Sequence, residues 1–132
     1  MSTNDRYLQG WKQLVNITGE QGTERLSELQ TFAPELCQFI VEFAYGDIYS
    51  RPNLSLQQRM IVTITSLLTQ GDQNQLKVHI QSALRVGLTS DELMEIMLHC
   101  IPYIGFPKVM DGISLLKQVV TVDDHHLLRE DV

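Results

Sequence analysis

QNQLKVHIQSALRVGLTSDELMEIMLHC, residues 73–100, is the stretch whose reading decides the fold. Leu76, Ile80, Ala83 and Leu84 fall three or four residues apart, the period that gives a helix one apolar face, and predict a helix from about Gln73 to Val86. Gly87 suits the helix end because it takes a left-handed backbone cheaply. Thr89 and Glu92 then make a capping box, each side chain serving a backbone N–H that a helix start leaves without a partner. The next helix carries Leu93, Ile96, Met97, Cys100 and Tyr103. Two helices joined by a capped turn set the class as all-α, and no two-residue alternation of useful length appears elsewhere.

The same pattern extends in both directions. Upstream, Ser55 and Gln58 form another capping-box pattern before a helix that reaches about Thr69, where Gly71 stops it. Arg51-Pro52-Asn53 reads as a connector. Before it, Pro34 suits a first helical turn, and the segment carries Leu36, Phe39, Ile40, Phe43 and Ala44. That segment is expected to end between Gly46 and Ser50. A first helix is expected over about Asp5–Ile17, with Tyr7, Leu8, Trp11, Leu14 and Val15 on one face, then breaks at Gly19 and Gly22. A short helix follows over about Glu24–Thr31. Downstream, Gly105-Phe106-Pro107 turns the chain into a last helix with Val109, Ile113, Leu116 and Val120. The expectation is a bundle of six to seven short helices, a single domain over 1–122 and a flexible tail over 123–132.

With 132 residues, 43 % hydrophobic and 20 % charged, the chain can bury an ordinary core. A net charge of −6 argues against non-specific binding to nucleic acid or to an anionic membrane surface. The densest apolar run, Met60 to Leu68, is interrupted by Thr63, Thr65 and Ser66 and is far too short to span a membrane. Cys37 and Cys100 stand apart, with no C-x-x-C pair, and read as buried reduced thiols. With no basic segment and apolar run at the start, a cytoplasmic location is expected. The helix from Leu56 to Leu68 is apolar or small nearly all round. Such a helix is buried on two sides, and in so short a chain the second cover is expected to be another subunit.

The ordered series Leu54 to Arg59, Gln75-Leu76-x-x-His79, Ala83-Leu84-x-x-Gly87-Leu88-Thr89, Glu92-Leu93, Glu95 and Tyr103-x-Gly105-Phe106-Pro107 resembles the carboxymuconolactone decarboxylase family. Phe43-Ala44-Tyr45-Gly46-Asp47 through Arg51 is similar to one branch of its small members. The resemblance covers roughly residues 10 to 120. It implies an all-α, alkylhydroperoxidase D-like fold, assembled as a trimer or hexamer. One branch of the family uses C-x-x-C followed by a His; the matching positions here are Asp72, Gln75 and His79, so the thiol chemistry has no nucleophile. The other branch holds the 4-carboxymuconolactone decarboxylases of aromatic catabolism. Their members commonly place Glu-Leu before the His, where this chain has Gln75-Leu76.

The resemblance therefore implies a lyase acting without cofactor or metal on a small carboxylic acid or lactone. Loss of CO₂ leaves negative charge to be stabilised and a carbon to be protonated. His79 borders the apolar face of its helix, and an imidazole titrates near neutrality, so it is the candidate acid. Arg59 is the candidate carboxylate holder, because a guanidinium fork grips two oxygens. Arg51, Gln75 and Tyr103 are candidate substrate-binding residues. Each has a plainer reading: His79 as a core histidine with a hydrogen-bond partner, Arg59 and Arg51 as solvated or structural cations, Tyr103 as part of the helix turn. Glu95 and His99 lie one turn apart and read as an exposed pair, too few donors for zinc. The competing functional readings are an alkylhydroperoxidase-like redox enzyme and a non-catalytic oligomer that binds a small molecule.

Overall fold

The computed structural model describes residues 3–130, with side chains placed over 5–122. Six α-helices follow one another with no strand among the described residues: α1 (Thr3–Phe32), α2 (Pro34–Phe39), α3 (Leu56–Gln70), α4 (Gln73–Arg85), α5 (Ser90–Ile104) and α6 (Phe106–Glu130). A π-helical segment, Ile40–Ile48, continues directly from α2. The fold class is all-α, as the sequence implies. The helices are not uniformly short: α1 spans 30 residues and α6 spans 25. The last turns of α6 fall within the stretch read from the sequence as a tail. No described helix is long and apolar enough to cross a membrane. The chain divides into two compact units, residues 1–56 and 57–132.

In the first unit, Gly19 kinks α1 at φ 64°, where an L side chain would be strained. The expected second break at Gly22 is absent; the helix runs through it. The buried apolar side chains of α1 are Leu14, Ile17 and Leu26, whereas Leu8 and Val15, expected on the inward face, are exposed. The following segment buries Cys37, Val41 and Tyr45, a spacing of four, and leaves Leu36, Phe39 and Phe43 exposed. Its π turns bring main chain against main chain. A Cβ on Gly10 would collide with the Val41 carbonyl, and one on Gly46 would stand 3.0 Å from the Arg6 carbonyl. Arg6 fastens the same contact from the side. Its Nη2 donates to Asp47 Oδ2 at 2.8 Å, and its Nη1 lies 3.6 Å from the buried carboxylate of Glu42.

The second unit is built from two helical hairpins. Met60, Ile64 and Leu68 of α3, Leu76, Ile80 and Ala83 of α4, Leu93 and Met97 of α5, and Val109, Leu116 and Val119 of α6 fill its core. Gly112 lets α6 approach: a Cβ there would strike Leu68 Cδ1 and stand 3.4 Å from Met97 Sδ. The α4–α5 turn closes as a Schellman motif, with the Leu88 N–H on the Ala83 carbonyl at 3.0 Å and the Gly87 N–H on the Leu84 carbonyl at 3.2 Å. The capping box of Thr89 and Glu92 is present with both bonds at 3.0 Å.

Candidate active site

The α3–α4 hairpin carries the imidazole and the guanidinium singled out in the sequence, His79 and Arg59. Its connection is Gly71-Asp72. Gly71 sits at φ 79° and ends α3, its N–H on the carbonyls of Leu67 and Leu68. Asp72 starts α4, its Oδ1 accepting from the Gln75 N–H at 3.1 Å. So short a connection makes the helices antiparallel. At the far end, Gln57 Nε2 donates to the Val86 carbonyl at 2.8 Å and pins the start of α3 to the end of α4. Lys108 similarly holds the end of α3, its Nζ donating to the Thr69 carbonyl at 2.6 Å.

Arg59 and His79 lie on this hairpin, each one position before a fully buried residue, Met60 and Ile80. Both side chains are half-buried. The remaining described cations of this unit, Lys77, Arg85, Lys108 and Lys117, are exposed, as is its other described imidazole, His99. Arg59 and His79 are thus the one cation and the one imidazole that the unit shields among its described residues. Arg59 Nε and His79 Nδ1 are themselves buried atoms that make no hydrogen bond among the described residues. Both residues are nonetheless engaged with neighbouring groups. From the Gln57–Val86 clasp, Arg59 stands about 3 Å along α3 and His79 about 10 Å along α4, at 1.5 Å per residue.

The other residues singled out in the sequence lie elsewhere. Gln75 is exposed in the first turn of α4. Arg51 is exposed in the connector before α3, within the first unit, with its N–H on the Ile48 carbonyl at 3.2 Å. Tyr103 is 77 % exposed in the last turn of α5 and faces His99, ring centroids 5.9 Å apart. Tyr103 and His99 border an open groove of about 810 Å³ between α3 and α5, whose walls include Ile61, Thr65, Thr69 and Leu98. Neither His79 nor Arg59 is among its lining residues. Sequence reading did not single out this groove. Its signal was available: 61, 65 and 69 recur every four residues beside the core stripe 60, 64 and 68.

Comparison with known proteins resolves the family. The model of the carboxymuconolactone decarboxylase family matches residues 34–118. A protein named 4-carboxymuconolactone decarboxylase, from Acinetobacter baylyi, is 35 % identical over 120 residues, covering 90 % of each chain. The chain belongs to the carboxymuconolactone decarboxylase family. Nitrosuccinic acid decarboxylase NpaB of Metarhizium robertsii is 26 % identical over 125 residues, covering 90 % of this chain and 87 % of its own. Within this carboxymuconolactone decarboxylase family member, the two positions that carry thiols in the redox branch hold other groups. Asp72 spends its side chain on capping α4, and Gln75 supplies the capped N–H. Cys37 and Cys100 are buried and not joined in a disulfide, Cys37 donating weakly to the Leu26 carbonyl at 3.4 Å. Among the described residues no group of three or more His, Cys, Asp or Glu could hold a metal ion.

Proposed function

We propose that this protein is a carboxy-lyase that removes CO₂ from a small acid whose own structure accepts the electron pair, using His79 as the proton donor and Arg59 as the anion holder. The observation that carries the reading is that one clasped hairpin bears both the unit's shielded imidazole and its shielded guanidinium. The two named relatives add the chemical class. 4-Carboxymuconolactone and nitrosuccinic acid share a succinate skeleton: one carbon bears the carboxylate to be lost and an electron acceptor, and its neighbour carries a second carboxylate. The acceptor is the unsaturated lactone in one and the nitro group in the other.

Such a substrate asks little of the protein. As the C–CO₂⁻ bond breaks, its electron pair passes into the acceptor, CO₂ departs, and a proton from imidazolium is delivered to carbon or to the acceptor's conjugated system. No organic cofactor or metal is needed to hold the electrons, since the lactone or nitro group does so. The half-buried surroundings strengthen each charge interaction relative to water. Gln75, on the same α4 as His79, is a further candidate for substrate contact. Within this reading the enzyme is cytoplasmic, assembles as a homo-oligomer and takes part in the breakdown of aromatic compounds.

Incubation of the purified protein with 4-carboxymuconolactone or nitrosuccinate, following CO₂ release and absorbance, tests the reading. Turnover is expected on at least one. A folded protein that releases no CO₂ from either removes the proposal.

A further inference from the structure

We propose that Arg59 grips the carboxylate that the substrate keeps, not the one it loses, and thereby restricts the enzyme to dicarboxylic acids. This rests on the decarboxylase reading and deepens it. The physical reason lies in where charge goes. Decarboxylation converts an anionic carboxylate into neutral CO₂, with its electron pair moving to the acceptor. A cation paired to the departing group stabilises the ground state and loses that interaction on the way to the transition state, so it raises the barrier. It would also be left behind, poorly solvated, facing a neutral molecule. A cation on the persistent carboxylate has neither defect: its partner is charged in the substrate, the transition state and the product.

The structure supplies one described guanidinium suited to that task in the unit bearing His79. Arg59 is half-buried, with its Nε inaccessible to solvent, whereas every other described cation of residues 57–122 is exposed. An exposed lysine is screened and mobile and gives little selectivity. A partly desolvated arginine fork holds a carboxylate in a fixed plane. The clasp between Gln57 and Val86 anchors the turn of α3 that carries it, two residues away. In the succinate skeleton the retained carboxylate oxygen lies three bonds from the reacting carbon, so a cation on it stays clear of the carbon that His79 protonates. The balance is then complete. The C–C bond breaks, CO₂ leaves, His79 supplies the proton, and the carboxylate on Arg59 emerges unchanged in the product.

The test compares each diacid that the wild-type protein turns over, 4-carboxymuconolactone or nitrosuccinate, with its methyl ester at the retained carboxyl. The ester is expected to raise KM about a hundredfold, the scale of a charge-assisted pair, with kcat changed far less. Arg59→Gln is expected to raise KM for the diacid by a similar factor, to treat the ester as the wild-type protein does, and to bind the decarboxylated product more weakly by calorimetry. Arg59→Lys should recover part of the loss. Equal losses on diacid and ester in Arg59→Gln, or a wild-type protein indifferent to the ester, overturn this assignment and leave the decarboxylase reading standing. A wild-type protein silent on both diacids removes the two together. If Arg59→Gln does not fold, the wild-type ester comparison alone decides.

Discussion

At the scale of single residues, His79 carries the sharpest expectation. An acid that delivers its proton in the transition state contributes about 10²- to 10⁴-fold to rate. His79→Ala should therefore lower kcat by a factor in that range and leave KM for the diacid nearly unchanged, because the ring is not asked to hold the substrate. Steady-state kinetics on a variant with wild-type circular dichroism checks this, and full activity would end the assignment. Tyr45 offers a pH-dependent test in the first unit. Burial, then the neighbouring Tyr49, pushes its phenol well above the ordinary tyrosine value. In the unfolded chain that phenol ionises near pH 10, while in the fold it keeps its proton. The unfolded state therefore binds fewer protons above that pH, and stability must fall as pH rises beyond about 10. Tyr45→Phe is expected to flatten the alkaline limb of melting temperature against pH; an unchanged limb would assign it to other groups. His79 and Arg59 were legible as candidates through the family resemblance, with His79 also bordering the apolar face of its helix. Their shielding was not, since a residue beside an apolar stripe can face solvent or protein. Val15 shows the difference, reading as part of the inward face of α1 and standing exposed.

At the scale of elements, the caps were the most readable feature and the close approaches the least. The Thr89 capping box and the Gly87 turn follow from local rules in which a few neighbouring residues decide the outcome. The π-helical segment Ile40–Ile48 follows from none of them. Its sequence suits an ordinary helix, and what distinguishes it is the distant Gly10, whose missing side chain leaves room for the Val41 carbonyl. The same limit explains why α1 runs through Gly22: a glycine weakens a helix without obliging it to end. These two kinds of feature should respond differently to substitution. Thr89→Ala removes one cap and should lower stability by about 1 kcal/mol. Gly10→Ala forces a methyl onto a backbone oxygen, which cannot swing aside as a side chain can, and should cost about 1–3 kcal/mol. Urea unfolding of the two variants checks the order. A Gly10→Ala protein as stable as the wild type would mean that α1 and the π-helical segment separate at little expense.

At the scale of the whole molecule, the surface carries more apolar side chain than an isolated small protein needs. The sequence suggested that α3 is covered on two sides; within one chain only the stripe of Met60, Ile64 and Leu68 is covered, and Val62 remains 57 % exposed. Leu98, Phe106 and Met110 of the same unit are also exposed, as are Phe39 and Phe43 of the first unit. Scattered apolar side chains are ordinary, but Ile61 and Leu98 share the walls of one open groove. A second copy of the chain is the cover that would bury such a surface without any other partner, and closed symmetric assemblies are the common outcome for a protein of this kind. Light scattering after size exclusion should accordingly give a mass several times that of one chain. Val62→Glu combined with Leu98→Glu should lower that mass toward a single chain, because a carboxylate buried at an apolar contact without a partner is strongly unfavourable. Neither position belongs to the buried core, so helical content should persist. A wild-type protein that runs as one chain at assay concentration would refute the assembly, and a double variant that keeps its full mass would move the contact away from α3 and α5.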